Sequence, residues 1–158
     1  MGNKKTSKKQ DKFHNSSHII QMGILMFWTI FWFFNVVDKV ISGPTFLFVG
    51  TDRFAQILFF FNSLGLGNPI YSLVSLIIGT LLEIAALVLA GGALYALIFH
   101  NYDRSRKLFF WGTFVSLLLF SFFAMGDQIF GDRFELLEHT LFWIAIIVSW
   151  GAFEYFPK

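Results

Sequence analysis

The stretch PIYSLVSLIIGTLLEIAALVLAGGALYALIF, residues 69–99, contains a single charged residue, Glu83. This long apolar segment indicates the architecture of the chain. As an α-helix it would extend about 46 Å at ~1.5 Å per residue, whereas the hydrocarbon core of a bilayer is about 30 Å thick. We therefore predict that this segment crosses a membrane, and that it either tilts or protrudes at one end.

Three further stretches contain no charged residue: 19–37, 108–126 and 140–153. The last of them reaches the ~20 residues needed to span a bilayer once residues 134–139 and the tail to 156 are included. Charged residues make up only 14% of the chain, compared with about 25% in a typical soluble domain. The sequence thus predicts an all-α, four-helix transmembrane bundle, with helices at about 18–40, 69–99, 108–126 and 134–156. Together they form a single membrane domain, residues 16–158, that follows a basic tail at residues 1–15.

Residues 52–62, between the first two predicted spanning helices, have the pattern of a short amphipathic helix. Phe54, Ile57, Leu58 and Phe61 repeat at the spacing of one helical face. The segment is too short to cross a bilayer, so we expect it to lie at the interface or to enter the membrane and return. The SGPT motif at residues 42–45 separates it from the first helix, because proline interrupts helical hydrogen bonding.

The basic residues are unevenly distributed along the chain. Nine of the twelve fall on the predicted side that holds both termini: Lys4, Lys5, Lys8, Lys9, Lys12, Arg104, Arg106, Lys107 and Lys158. By the positive-inside rule, that side is cytoplasmic. This orientation accounts for the lysines without a nucleic-acid partner. The chain has no cysteine, which excludes thiolate nucleophiles and Cys-ligated iron–sulfur clusters within it.

Among the residues of this sequence, Glu83 is the one whose position most strongly indicates a function. A carboxyl group inside a spanning helix costs a few kcal/mol to insert, so it should face the bundle interior and have a partner there. In that position it can accept a proton or bind a ligand, or it can fix the packing of the helices. The sequence does not distinguish between these two roles.

A second polar cluster lies in FELLEHTLFW, residues 134–143, where Glu135, Glu138 and His139 share one helical face. The positive end of the helix dipole explains a carboxylate in the first turn, such as Glu135. Glu138 and His139 lie one turn deeper, where this explanation suits them less well. We predict a polar, proton-handling pocket in the outer half of the bundle, lined by Asp38, Glu83, Asp127, Glu138 and His139. Glu83 can reach His139 only if the second helix protrudes outward by roughly two turns.

Arg53 and Arg133 are candidate contacts for an anion, with surface ion pairing as the alternative. We predict no metal site, because a metal bound in a bundle core needs carboxylate and histidine ligands from several helices, and Glu83 is the only intramembrane carboxylate. No residue is assigned a catalytic role, and the sequence leaves open whether the protein is an enzyme.

The order of three segments is similar to a known family. The first helix ends in VVDKVISGP, the second lies in LGLGNPIYSLVSLIIGTLLEIAALVLAGG, and GDRFELLEHTLFWIAII introduces the last. These segments resemble the DoxX family of small four-helix membrane proteins, which includes DoxD- and MauE-type relatives. The resemblance covers about residues 19–156, and Glu83 and Glu135 match family positions.

The resemblance implies a left-handed bundle and, for some relatives, a subunit of a quinone-linked system such as thiosulfate:quinone oxidoreductase. We therefore expect a multi-pass protein of the bacterial inner (plasma) membrane that serves as a small subunit or accessory of a respiratory assembly. Quinone is the candidate cofactor, and the expected partners are lipid and either a larger membrane protein or a second copy. A stand-alone membrane chaperone or assembly factor is the main alternative, and a small transporter is a weaker one.

Overall fold

The computed structural model describes the backbone of residues 3–41 and 52–156, and the side chains of residues 16–39 and 52–156. These residues form five helices: α1 (Asn3–Ile41), α2 (Arg53–Ser63), α3 (Pro69–Ile98), α4 (Tyr102–Phe130) and α5 (Arg133–Tyr155). Four of them are long and apolar enough to cross a membrane, over Ser16–Lys39, Pro69–Ile98, Tyr102–Phe130 and Arg133–Tyr155. The predicted all-α fold with four spanning helices and one short helix between the first two is confirmed. It is consistent with a multi-pass membrane protein.

Two helices are longer than the sequence predicted. Helix α1 continues back to Asn3, because residues 3–15 contain no glycine or proline to end it. Helix α4 extends beyond 108–126 at both ends, because Asn101 caps its first turn and Gly131 ends it with a left-handed φ of 78°. The prediction followed the uncharged run and therefore missed the charged turns that continue the helix outside it. The SGPT motif lies outside the described residues.

The caps of the other helices follow from the local sequence. The side chain of Asp52 accepts a hydrogen bond from the Ala55 amide at 3.1 Å and begins α2. Asn68 does the same for α3, where Pro69 occupies the first turn without losing a hydrogen bond. Asp132 accepts from the Glu135 amide at 3.0 Å and begins α5. These caps explain why α2, α3 and α5 begin within one residue of the predicted positions.

The four long helices surround one core in the order α1, α3, α4, α5. The most extensive contacts join α3 to α4, α4 to α5 and α1 to α3, whereas α1 and α5 touch less. On α3 the buried face is a stripe of small residues, Ala86, Ala90 and Ala93, which lets neighbouring helices approach closely. Trp28 and Trp32 of α1 fill the interior. The outward faces carry exposed leucine, isoleucine and phenylalanine, as a lipid-facing surface requires.

Helices α3 and α4 pack most closely near the turn that joins them. The Ser105 hydroxyl donates to the carbonyl of Ala93 at 2.8 Å. A Cβ atom placed on Gly112 would lie 3.3 Å from Leu89 Cβ and 3.6 Å from the Ala90 amide nitrogen. Because those atoms belong to the α3 backbone or are fixed to it, they cannot move aside. Glycine at 112 is therefore needed for this close approach.

The substitution Gly112→Ala is expected to destabilise the fold by about 1–3 kcal/mol relative to Gly23→Ala, the range typical of overpacking. Gly23→Ala is the matched control, since it makes the same chemical change where nothing lies within 4 Å. Unfolding by sodium dodecyl sulfate, followed by circular dichroism in mixed micelles, measures the difference. Equal stability of the two variants would show that α3 and α4 tolerate a wider separation.

The end of the bundle near the α3–α4 turn is closed by a hydrogen-bonded network. The buried side-chain nitrogen of Gln21 lies 3.0 Å from the Phe153 carbonyl, 3.1 Å from the Phe156 carbonyl and 3.2 Å from the Tyr102 hydroxyl. Arg106 and Glu154 form an ion pair nearby, with 2.5 Å between Nη2 and Oε2. These contacts connect α1, α4 and α5, so this end has a structural role.

Candidate ligand-binding cavity

The opposite end of the bundle contains a cavity of about 520 Å³. All five helices contribute to its wall, and α2 lies across the end of the bundle beside it. We call it the α2-end cavity. Its volume falls within the ~300–1,000 Å³ range of small-molecule sites. Its wall combines polar and charged side chains with apolar ones, among them five phenylalanines.

The deepest charged pair of the wall joins α1 to α3. Lys39 Nζ donates to Glu83 Oε1 at 2.6 Å, and the Glu83 side chain is only 1% exposed. The other carboxylate oxygen of Glu83, Oε2, is buried and has no hydrogen-bond partner. A buried carboxylate is costly unless it is paired. Lys39 therefore stabilises Glu83 in this position, and one acceptor remains unsatisfied.

A second charged group joins α2 to α5. Arg53 Nη1 lies 3.3 Å from Glu135 Oε1, and Gln56 Nε2 donates to the same oxygen at 2.8 Å. Arg53 Nη1 also donates to Gln56 Oε1 at 2.8 Å. The three side chains are partly buried and satisfy one another. They hold the first turn of α2 against the first turn of α5.

The third polar pair joins α4 to α5. His139 Nδ1 lies 2.6 Å from Asp127 Oδ2, and the Asp127 side chain is 7% exposed. When Asp127 is ionised, its carboxylate can only accept this hydrogen bond, and His139 donates it from Nδ1–H. The imidazole ring also packs against Phe123, with 5.0 Å between ring centroids. Its orientation is thus set by one hydrogen bond and one aromatic neighbour.

Five phenylalanines line the cavity, together with leucine and isoleucine side chains. Phe60 of α2 stacks on Phe130 of α4 with centroids 4.6 Å apart and ring planes 8° apart. Phe61 contacts the edge of the same Phe130 ring at 6.3 Å. Phe122 and Phe123 line the cavity from α4. These flat apolar surfaces suit a ring or an isoprenoid chain.

The cavity reaches the outer surface of the bundle between α3 and α4. Ile78 and Phe122 line it and are also exposed on the outward faces of these helices, at 54% and 57%. Gly79 and Gly126 also line the cavity, and neither has a side chain to fill it. In a membrane this opening faces lipid, so a molecule dissolved in the bilayer can enter the cavity from the side.

Four of the seven predicted site residues line this one cavity: Arg53, Glu83, Asp127 and His139. Asp38 is buried on α1 but does not belong to the wall. Glu138 is exposed, because it lies about 100° around α5 from His139. Arg133 is exposed as well and donates to Gln128 at 3.0 Å, so it contacts no cavity group. Among the described residues, no group of three histidine or acidic side chains is placed to hold a metal ion.

Sequence reasoning missed the partners of the predicted residues. The sequence pattern assigned no role to Lys39, yet it pairs with Glu83. Glu135 was explained by the helix end alone, yet its side chain joins α5 to Arg53 and Gln56. Their positions could have indicated these contacts, because both residues lie within one turn of the end of a spanning helix, where a long side chain can reach inward.

The docking of α2 is testable through its aromatic stack. Phe130→Ala removes the ring on which Phe60 stacks, and such pairs contribute about 0.5–1.5 kcal/mol. We expect hydrogen–deuterium exchange of the α2 amides to rise about two- to tenfold, with the exchange of the α3 amides unchanged. Phe134→Ala is the control, because that ring is exposed. Unchanged exchange in α2 would show that the stack does not hold this helix.

Comparison with known proteins identifies no relative of this chain. No protein-family model, curated protein or solved structure matches this chain. The resemblance to the DoxX family therefore stays a prediction made from the residues alone.

Proposed function

We propose that this protein binds a neutral, lipid-soluble amphiphile in the α2-end cavity, with a quinone as the leading ligand. The observation that supports the proposal is the mixed composition of the cavity wall. It combines paired charges with apolar and aromatic side chains, and two of its residues, Ile78 and Phe122, are also exposed on the outward faces of α3 and α4. An amphiphile from the bilayer can place its polar end against the charged groups and its ring or chain against the apolar side chains.

The charge balance of the wall favours a neutral head group. Lys39 is paired with Glu83, and Arg53 is paired with Glu135. The remaining pair, Asp127 with His139, carries no excess positive charge. A phosphate head group would need an unpaired cation to replace its hydration. A quinone head group needs only hydrogen bonds and a stacking surface, both of which this wall offers.

We further propose that the protein serves as a small subunit or accessory of a membrane redox assembly. This narrower proposal rests on the resemblance in sequence. An integral membrane subunit with a quinone site beside the lipid can deliver or receive quinone for a larger partner. The paired carboxylates are then binding groups that position the head group.

The test is to purify the protein from its native membrane in mild detergent and to analyse the bound small molecules and proteins by mass spectrometry. We expect a quinone at about one per chain, together with a larger membrane protein. Recovery of the chain with bulk phospholipid alone would contradict the quinone proposal, and quinone without a protein partner would contradict the role as a subunit.

For the orientation, we propose that the end with the α3–α4 turn faces the cytoplasm, because most of the basic residues lie on that side. The chain lacks cysteine, so a single introduced cysteine is the only thiol that a maleimide can label. In right-side-out vesicles, a membrane-impermeant maleimide should label Ser63→Cys and leave Lys107→Cys unlabelled; both positions are exposed. The reverse pattern would contradict this orientation.

A further inference from the structure

We infer that this protein binds a divalent transition-metal ion, with Zn²⁺ as the probe, through His14, His18 and His100 at the end of the bundle near the α3–α4 turn. Three of the four histidines of the chain thus form one site. The site lies at the opposite end from the α2-end cavity, so the inference goes beyond the proposed function and does not depend on it. The absence of a metal site predicted from the sequence concerned ligands inside the bundle core, whereas these histidines belong to the end of the bundle.

His18 of α1 and His100 of the α3–α4 turn lie side by side. Their imidazole rings have centroids 5.7 Å apart and planes 22° apart. Two imidazoles bound to one tetrahedral zinc ion, with each nitrogen ~2.0–2.1 Å from the metal, have centroids about 5 Å apart. His18 is half-buried and His100 is exposed, so neither ring is fixed by a packed core. Zinc can therefore bind both after the rings turn their nitrogen atoms toward a common point.

The third ligand comes from the preceding turn of α1. The backbone of α1 is helical from Asn3 to Ile41, and His14 precedes His18 by four residues. That spacing places the two positions on one helical face. Histidines at i and i+4 of a helix hold zinc in the metalloprotease motif for the same reason. Helix α1 thus offers two ligands, and the turn beside it offers one.

The backbone at His100 supports a role for its side chain. Its φ is 57°, in the left-handed region, and the other described residues with a positive φ are both glycines. The His100 amide donates to the Leu97 carbonyl at 3.0 Å, and the Asn101 amide donates to the Ala96 carbonyl at 2.8 Å. This is the Schellman ending of a helix, in which glycine is usual because a Cβ atom costs conformational free energy there. The turn alone favours glycine, whereas a metal ligand explains the histidine.

The chemistry of the three ligands determines which ion binds. Imidazole nitrogen suits zinc, nickel and copper, whereas Mg²⁺ and Ca²⁺ prefer oxygen ligands. Most of the basic residues lie at this end of the bundle, and their charges oppose any cation that is held by electrostatic attraction alone. Three imidazoles leave one position of a tetrahedral ion for water or for a ligand from another molecule. The bound ion connects α1 to the α3–α4 turn.

The experiment uses the full chain in detergent micelles without a polyhistidine tag, because such a tag binds the same ions. Isothermal titration calorimetry measures Zn²⁺ binding with and without an excess of Mg²⁺. We expect one zinc ion per chain, no competition from Mg²⁺, and a higher unfolding midpoint in the presence of zinc, since the ion binds only the folded arrangement. An absence of zinc binding, or zinc binding that Mg²⁺ abolishes, would overturn the inference.

Three variants each remove one ligand: His14→Ala, His18→Ala and His100→Gly. Loss of a residue that merely supports a metal ligand lowers metal affinity about 10–100-fold, so loss of a ligand should lower zinc affinity at least ~tenfold. His139→Gln is the control, because His139 pairs with Asp127 in the wall of the α2-end cavity. It should bind zinc as the wild type does. A loss of zinc binding in this control alone would place the ion at the other end of the bundle and contradict the inference.

His100→Gly also distinguishes a metal ligand from a structural residue. Without zinc this variant should be at least as stable as the wild type, because glycine adopts the left-handed conformation without strain. Zinc should then raise the unfolding midpoint of the wild type and leave that of the variant unchanged. If the variant is less stable without zinc and binds zinc as tightly as the wild type does, the stacked rings only stabilise the turn, and the inference is wrong.

Discussion

Replacing Lys39 with methionine is expected to destabilise the fold by about 3–5 kcal/mol, the cost of breaking a buried ion pair from one side. The substitution leaves the Glu83 carboxylate, which is 1% exposed, without any partner among the described residues. The membrane increases this cost, because no bulk water reaches the group from the surrounding lipid. Unfolding by sodium dodecyl sulfate in mixed micelles measures the loss.

The double variant Lys39→Met/Glu83→Leu should recover most of that stability. A well-packed apolar pair often replaces a buried ion pair at little or no cost, because the charges no longer need to be desolvated. Comparing the wild type, both single variants and the double variant isolates the coupling between the two side chains. The same series tests the ligand site, since the double variant should be stable yet lack both charges of this pair.

Arg106→Met is the matched control for Lys39→Met. It also removes the cation from an ion pair between two helices, but its side chain is 52% exposed at the opposite end of the bundle. Solvent screens such a pair, so the unfolding midpoint should not change measurably. If Lys39→Met behaved like this control, Glu83 would not depend on its ion pair for burial.

The spanning helices could be predicted because their signal is local. A run such as residues 69–99 is apolar over a length that only a membrane accommodates, whatever the rest of the chain does. The helix caps are equally local, since Asp52, Asn68 and Asp132 each bond an amide two or three residues further on. Where charged turns continue a helix beyond the apolar run, as at the start of α4, hydropathy alone makes the predicted helix too short.

The cavity could be predicted only in part, because its contacts join residues far apart in the chain. Glu83 was identified from its unusual position, yet its partner Lys39 lies on another helix. Helical periodicity grouped Glu138 with His139, although only the ring of His139 reaches the wall. Which of two neighbouring residues faces the interior depends on the rotation of α5 against α4. That rotation follows from the packing of Phe120, Phe123 and Phe142 around the helices, and no single segment specifies it.

The position of α2 explains why the polar residues form one site. Its first turn is held to α5 through Arg53 and Glu135, and its aromatic face is held to α4 through Phe60 and Phe130. These two attachments hold the helix at the end of the bundle, beside the charged pairs that line the cavity. Within the described residues, exposed wall residues of α3 and α4 mark a side route for a molecule in the lipid.

Filling that opening is expected to abolish ligand binding while preserving the fold. A Cβ atom at Gly79 would lie 3.9 Å from Phe123 Cε1, an ordinary contact, so Gly79→Ala fits without displacing its neighbour. Gly79→Leu adds three more carbons beside the cavity and occupies the space that a ring or chain would use. We expect the affinity for a quinone such as decylubiquinone to fall at least ~tenfold in Gly79→Leu, because the ligand must displace a packed side chain.

Gly79→Ala is the control for Gly79→Leu, since it changes the same position without filling the cavity, and it should bind as the wild type does. Gly126→Leu tests the opening from the opposite helix, because a Cβ atom there also makes only ordinary contact, 3.8 Å from Phe130 Cε2. Binding of decylubiquinone is measured at equilibrium in detergent micelles by mass spectrometry of the bound ligand, and unfolding midpoints confirm that each variant is folded. If both leucine variants fold and bind the ligand as the wild type does, the ligand does not occupy the α2-end cavity. A selective loss in both leucine variants would instead place the ligand between α3 and α4, in contact with the phenylalanine wall.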